Sequence, residues 1–242
     1  MREEVIDYQV EGKTFKGLLV YDENDQKTRP GVIVVHAYKG QDRFAQEKAR
    51  ELVRLGYTAF AADYYGEGKT VATDDEAKQL MRPLFIDRTL LRKRIVGAFE
   101  VFKKQKQADP QRIGAIGFCF GGLTAIELLR SGVGVRGIVS FHGIFGSRMG
   151  EMQAQLAPNH YIPGTSLLAL NGYDDPMLPE SDVSAIQKEF NAANIDWQMN
   201  IYGHTKHAFM VPEANEGALK YNPVVCKRAW AAMELFFKEI FS

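Results

Sequence analysis

The sequence predicts an α/β fold, a mostly parallel central sheet with helices on both faces. Three observations predict it. Continuous apolar runs alternate with helical patterns along most of the chain, as strands buried on both faces do. The apolar run Arg112-Ile113-Gly114-Ala115-Ile116 passes through Gly117-Phe118-Cys119-Phe120-Gly121-Gly122 into a helical pattern beginning at Leu123, which reads as strand, sharp turn and helix. The polar motifs fall where such strands end, and ligands of open parallel sheets bind at those carboxyl ends.

The elements follow in order. Residues 3–21 predict a strand pair with a turn at Glu11-Gly12-Lys13. Residues 31–36 predict a buried strand, 43–55 a helix and 57–63 a strand. Residues 73–82 and 87–106 have helical patterns, and 113–118 is the strand entering the sharp turn. Residues 135–142 and 166–171 predict strands, 180–194 a helix, 197–202 the last strand and 223–240 the closing helix.

No repeat, low-complexity stretch or Pro/Gly/Ser-rich linker divides residues 1–242, so one domain is expected. The 45% apolar content supports a sizeable core. Thirty basic and 30 acidic residues balance to a net charge of +0, so a nucleic-acid partner is not expected. No apolar run approaches the roughly 18 residues of a membrane span. The start, Met1-Arg2-Glu3-Glu4, lacks the apolar core of a signal peptide. Cys119 and Cys226 lie far apart with no CxxC, which fits a reducing, cytoplasmic setting. Cys226 shares a three-and-four spacing with Ala229, Trp230, Met233, Phe236, Phe237 and Ile240, and is expected to be a small buried core residue.

Cysteine at the centre of Gly-x-Cys-x-Gly has the form of a nucleophile elbow, more often built with serine. Such a turn strains its central residue, and a Cβ at either flanking glycine would crowd the adjoining strand and helix. Few structural needs place a lone thiol there. Cys119 is therefore the candidate nucleophile, for acyl transfer to water.

A thiol needs a base and the base an orienting acid, in the chain order nucleophile, acid, base. The 166–171 strand leads into Gly172-Tyr173-Asp174-Asp175-Pro176. Asp175 is preferred for the chemistry and Asp174 for the turn, although chemistry alone leaves both open. The last strand leads into Tyr202-Gly203-His204-Thr205-Lys206-His207-Ala208-Phe209. The His-x-Phe spacing favours His207 as base, with Phe209 fixing the loop and His204 solvated. The oxyanion is assigned to the backbone N–H groups of Phe120, aided by the helix dipole, and of Tyr38 in the loop His36-Ala37-Tyr38-Lys39-Gly40. That loop also reads as a plain strand-to-helix turn. Phe118, Phe120, Tyr38, His142 and Phe145 suggest a partly aromatic substrate wall, with Ala37 and Phe209 beside it. His142 reads equally well as a structural histidine. Residues 64–84 could cover the site, and Lys78 and Arg82 read as a solvated helix face ahead of contacts to an anionic substrate.

At these residues the chain resembles the dienelactone hydrolase family, a branch of the α/β-hydrolases. The resemblance covers nearly the whole chain. It rests on Gly117-x-Cys119-x-Gly121-Gly122, Gly172-x-x-Asp175, His207-x-Phe209, Leu55-Gly56-Tyr57 and Asp63-Tyr64-Tyr65-Gly66. It implies an α/β-hydrolase fold, a Cys-His-Asp triad with Asp175 as the acid, and hydrolysis of a small-molecule ester or lactone with no cofactor and no metal. Two positions depart from the family. Ala37 stands where dienelactone hydrolases proper carry a glutamate that gates the thiol. Val211 stands where they carry an arginine that grips the substrate carboxylate. The departures point away from dienelactone itself as substrate. Two other readings stay open: a non-catalytic or thiol-sensing binding protein on the same fold, and acyl transfer to an acceptor other than water.

Overall fold

Residues 1–25 and 27–242 are described by the computed structural model. An N-terminal hairpin pairs β1 (Arg2–Val10) with β2 (Lys13–Tyr21). Then β3 (Arg29–Val35), α1 (Arg43–Arg54), β4 (Thr58–Ala62), α2 (Asp74–Ile86), α3 (Arg88–Phe102), β5 (Ala108–Phe118), α4 (Phe120–Arg130) and β6 (Gly137–Phe141) follow. A short ribbon of β7 (Arg148–Met149) and β8 (Met152–Gln153) precedes β9 (Ser166–Gly172), α5 (Glu180–Ala192) and β10 (Asp196–Tyr202). A second ribbon, β11 (Asn215–Glu216) and β12 (Leu219–Lys220), leads into α6 (Pro223–Ile240).

The main sheet has eight strands in the order β1-β2-β4-β3-β5-β6-β9-β10. The pairings from β4 through β10 are parallel, and only β2 runs against them, paired antiparallel with β1 on one side and β4 on the other. Side chains of the central strands alternate between two cores. On β3, Ile33 and Val35 join one core and Val32 and Val34 the other. On β5, Ile113 and Ala115 join the first, Ile116 and Phe118 the second. The first core is closed by α2, α3, α4 and α5, through residues such as Leu84, Ile95, Ile126 and Ile186. The second is closed by α1 and α6, through Ala49, Leu52, Ala229 and Met233. A strand apolar at every position is thus satisfied on both faces, which is why the central strands are near-continuous apolar runs.

The sequence places the helices and strands closely, and the differences have local causes. β5 begins at Ala108, five residues before its apolar run. Residues 108–112 read as a polar turn, yet Ala108 and Asp109 pair with Arg29 and Pro30 across a register shift in β3. α2 runs through Pro83 to Ile86, and its start is fixed by a capping box between Thr73 and Glu76. The ribbons β7–β8 and β11–β12 are two-residue strands that carry no apolar periodicity. Cys226 is half-buried instead of buried: Val225, Ala229, Met233 and Phe237 take the inner stripe of α6, and the thiol lies at its margin. Among the described residues, no helix is long and apolar enough to cross a membrane.

Candidate active site

The turn between β5 and α4 is as tight as its glycines suggest. A Cβ at Gly117 would meet the backbone of Gly121, and one at Gly121 would meet the carbonyl oxygens of Val35 and His36. Cys119 sits between them at φ 55° and ψ −117°, a conformation that L residues adopt only under constraint. Its N–H donates to Phe141 O at 3.1 Å, which ties the strained residue to the end of β6. The half-buried thiol stands at the start of α4, where Phe120 is the first helical residue and its N–H has no acceptor within the helix.

The loops after β9 and β10 meet beside it. Gly172 allows the contact, because a Cβ there would strike Thr205 O. Asp174 N–H donates to that same carbonyl at 3.0 Å. The packing brings His207 Nδ1 to 2.7 Å from Asp175 Oδ2, with both side chains buried. Asp175 Oδ1 accepts from Met177 N–H at 2.8 Å, which fixes the carboxylate plane. Asp174 and His204 lie exposed on the same loops.

Burial alone would depress the His207 pKa. The negative charge of Cys119 outweighs it, helped by the hydrogen bond to Asp175, and His207 is pushed up to about 10. His207 Nε2 makes no hydrogen bond of regular geometry among the described residues. The influence of Cys119 on the ring is therefore electrostatic.

The loop after β3 forms the other side. Tyr64 donates from its hydroxyl to His36 O at 2.6 Å, and Tyr65 to Tyr38 O at 2.9 Å. Tyr38 N–H has no partner among the described residues. The tyrosines are held by Asp63, which accepts from the N–H groups of Tyr65 at 2.9 Å, Gly66 at 2.8 Å, Gly68 at 2.7 Å and Lys16 at 3.0 Å. Burial raises the Tyr65 pKa, and the charge of Cys119 adds to it. The same loop is fastened to the start of α2. Val71 N–H donates to Lys39 O at 3.0 Å, Tyr38 donates from its hydroxyl to Asp74 at 2.9 Å, and Lys39 pairs with Asp74 at 2.9 Å. Tyr64 and Tyr65 gave no sign of this bracing in sequence beyond their place at a strand end.

Five expected wall residues, Phe118, Phe120, His142, Phe145 and Phe209, are buried. Phe118 is fully buried in the second core, stacked 5.0 Å from Phe141. Phe209 is also fully buried, 5.8 Å from Tyr202 and edge-on to His142 at 5.2 Å. His142 is 1% exposed and stands behind His207, with ring centres 5.0 Å apart. Phe209 and His142 pack around the loop that carries His207, and none of these three side chains lines an open pocket. Ala37, Tyr38 and Cys119 are the partly exposed members of the group. Phe120 and Phe145 point into the first core. Lys78 and Arg82 are exposed, and Lys78 lies 3.5 Å from Asp75.

Buried polar atoms lacking a partner among the described residues gather at this edge: His36 Nε2, Ser140 Oγ, both ring nitrogens of His142, Asn171 Oδ1 and His207 Nε2. Stable interiors tolerate few such groups, so a cluster of them marks a place selected for something other than stability.

Comparison with known proteins agrees with this arrangement. Residues 15–241 match the model of the dienelactone hydrolase family. The chain is 30% identical to a solved dienelactone hydrolase-like promiscuous phosphotriesterase from metagenomic libraries, covering 99% of this chain and 98% of that one with a TM-score of 0.89. It is 27% identical to a putative carboxymethylenebutenolidase of Aquifex aeolicus over 86% of this chain and 87% of that protein. A putative dienelactone hydrolase from Klebsiella pneumoniae shares the fold at 19% identity and a TM-score of 0.78, covering 98% of this chain and 99% of that one. With its parallel sheet, its strained Gly117–Gly121 turn and a family match over nearly its whole length, the chain belongs to the dienelactone hydrolase family and is a hydrolase of the α/β-hydrolase fold.

Proposed function

We propose that the chain is a single-domain, cofactor-independent hydrolase of small uncharged esters or lactones, working through a Cys119–His207–Asp175 triad. The observation that carries this reading is the 2.7 Å contact of Asp175 with His207 Nδ1, which leaves Nε2 turned toward a thiol on a strained elbow.

In the resting pair His207 holds the proton and Cys119 the negative charge. The sulfur attacks the carbonyl carbon, and the carbonyl electrons move to oxygen. That oxyanion is held by the Phe120 and Tyr38 amides. As the tetrahedral species collapses, the bond to the leaving oxygen breaks and that oxygen takes the proton from Nε2. Water then gives a proton to Nε2 and attacks the thioester. Collapse releases the acid and regenerates the thiolate. Asp175 keeps Nδ1 protonated and the ring in plane, and stays ionised throughout.

Uncharged substrates are favoured because the cations near the site are occupied or distant. Lys39 is paired with Asp74, Lys78 and Arg82 face solvent, and Val211 supplies no charge. An aryl phosphotriester is the second substrate to offer: it too is uncharged, and the solved relative bears that activity in its name.

The test is hydrolysis of a short-chain nitrophenyl ester by wild type and Cys119→Ala, with and without iodoacetamide. Turnover lost on mutation and on alkylation supports the reading. A reactive Cys119 with no turnover on any ester would instead favour a thiol sensor. Faster product formation with added alcohol would favour acyl transfer.

A further inference from the structure

Away from Cys119, the faces of α3, α4 and α5 enclose a network of buried charges. Glu127 accepts from Arg92 Nη2 at 2.6 Å and from Arg130 Nη1 at 2.9 Å. Arg130 also reaches Glu189 at 2.6 Å. Arg92 and Arg130 are thereby matched by carboxylates. Arg88 is not. It is 1% exposed, the largest fully buried side chain of the molecule, and no carboxylate lies within ion-pair distance of it among the described residues. Its Nη2 donates to Gly146 O at 3.1 Å, and its flat face lies 4.5 Å from the centre of the Phe85 ring. Nε and Nη1 have no partner among the described residues.

An unmatched buried guanidinium is among the costlier things a fold can hold. Phe85 offsets part of that cost and the Gly146 carbonyl another part. The side chain also lines a cavity of about 190 Å³, shared with Arg92, Arg130, Glu127, Glu189, Asn159 and Asp182. That volume admits a small anion. Of the three carboxylates in its lining, those of Glu127 and Glu189 are engaged by Arg92 and Arg130, and that of Asp182 opposes an anion: it packs against Gly146, makes no hydrogen bond among the described residues, and burial raises its pKa.

We propose that this cavity is a binding site for a small oxyanion, a carboxylate or a phosphate, received by the unpaired charge of Arg88. The site is separate from the triad and does not depend on how the triad works. It does share a segment with it. The stretch from His142 to Ser147 has the base-supporting histidine at one end and the cavity wall at the other, and a Cβ at Gly143 would meet Phe145.

The test is thermal unfolding and equilibrium binding with inorganic phosphate, acetate and chloride at matched ionic strength. Three proteins are compared: wild type, Arg88→Met and Asp182→Asn. In the wild type, phosphate or acetate raises the unfolding midpoint along a saturating curve and chloride does not. Saturation at lower acetate than phosphate identifies a carboxylate site, and the reverse order a phosphate site. Arg88→Met loses roughly tenfold to a hundredfold in affinity, as expected for a charged hydrogen-bonding partner. Without added oxyanion it unfolds no earlier than wild type, since it removes an uncompensated charge. Asp182→Asn, a half-buried change at the cavity rim, binds the anion more tightly. A midpoint rise of equal size in all three proteins, or none beyond chloride, overturns the proposal. If Arg88→Met does not fold, unchanged anion affinity in Asp182→Asn overturns it instead.

Discussion

Two buried histidines follow strands of the same sheet and are driven in opposite directions. His36 follows β3 and His207 follows β10; both are 1% exposed or less. Burial pushes both pKa values down. His36 stacks on Tyr64 with ring centres 3.8 Å apart and donates from Nδ1 to Ala37 O at 2.6 Å. Only the more distant Asp63 charge and that carbonyl oppose burial, and His36 is pushed down to about 4. His207 has a carboxylate on one nitrogen and the Cys119 charge near the other, and rises to about 10. Desolvation is common to the two rings, so it cannot be what separates the proposed base from His36. The selection is made by which loop delivers an anion to the ring, and only the loops meeting at Gly172 and Thr205 do so.

The sharpest break in this comparison is removal of the proposed chemistry. Cys119→Ala and His207→Ala are each expected to lower kcat by at least about 10⁴-fold, while His204→Ala stays near wild type. The opposite result for the two histidines in ester assays would transfer the base role to His204. Next comes the acid. Asp175→Asn keeps the shape, removes the charge, and is expected to cost on the order of 10³- to 10⁴-fold in kcat. Asp174→Asn changes little.

The titrations themselves come third. The His207 ring proton should titrate near pH 10 by NMR in the wild type and markedly lower in Cys119→Ala, because the thiolate is the foremost cause raising it. A midpoint unchanged by that substitution would show that Asp175 alone sets the value. The His36 resonance should not titrate between pH 6 and 9, since its value lies near 4. The sign for stability follows. The raised His207 value contributes stability that is complete below about 6.5, its unfolded value, and is lost as pH rises through about 10.

Smaller effects sharpen the contrast. His36→Phe preserves the stack on Tyr64 and removes one hydrogen bond, so stability should fall by about 0.5–1.5 kcal/mol and kcat/KM by less than about tenfold. Tyr65→Phe frees Tyr38 O, costs about 1 kcal/mol in denaturant unfolding, and lowers kcat about fivefold by loosening the loop.

The turns that carry Cys119, Asp175 and His207 were legible in sequence as strand-end turns because each rests on backbone demands that glycine answers locally. Gly117, Gly121 and Gly172 are required by contacts that a Cβ would destroy. The wall was less legible. Central strands are apolar on both faces, so alternation alone does not say which face of Phe118 opens toward substrate. Arg88 was invisible because its partners, Phe85 aside, come from distant segments: Gly146 lies 58 residues away in the chain. The start of β5 was hidden for a similar reason, since Asp109-Pro110-Gln111-Arg112 is turn-like in isolation and only its pairing with Arg29 and Pro30 makes it a strand.

The fastening of the Tyr38 loop to the head of α2 has a mechanical consequence. The head of α2 and the amide proposed to hold the oxyanion are tied together through Val71, Asp74 and Lys39. A substrate bulky enough to push the head of α2 aside drags the Tyr38 amide out of line in the same motion. Oversized acyl groups would then be admitted and held, yet turned over slowly. The enzyme's size limit would register as a falling kcat at nearly constant KM, a filter that acts at the chemical step instead of at the door.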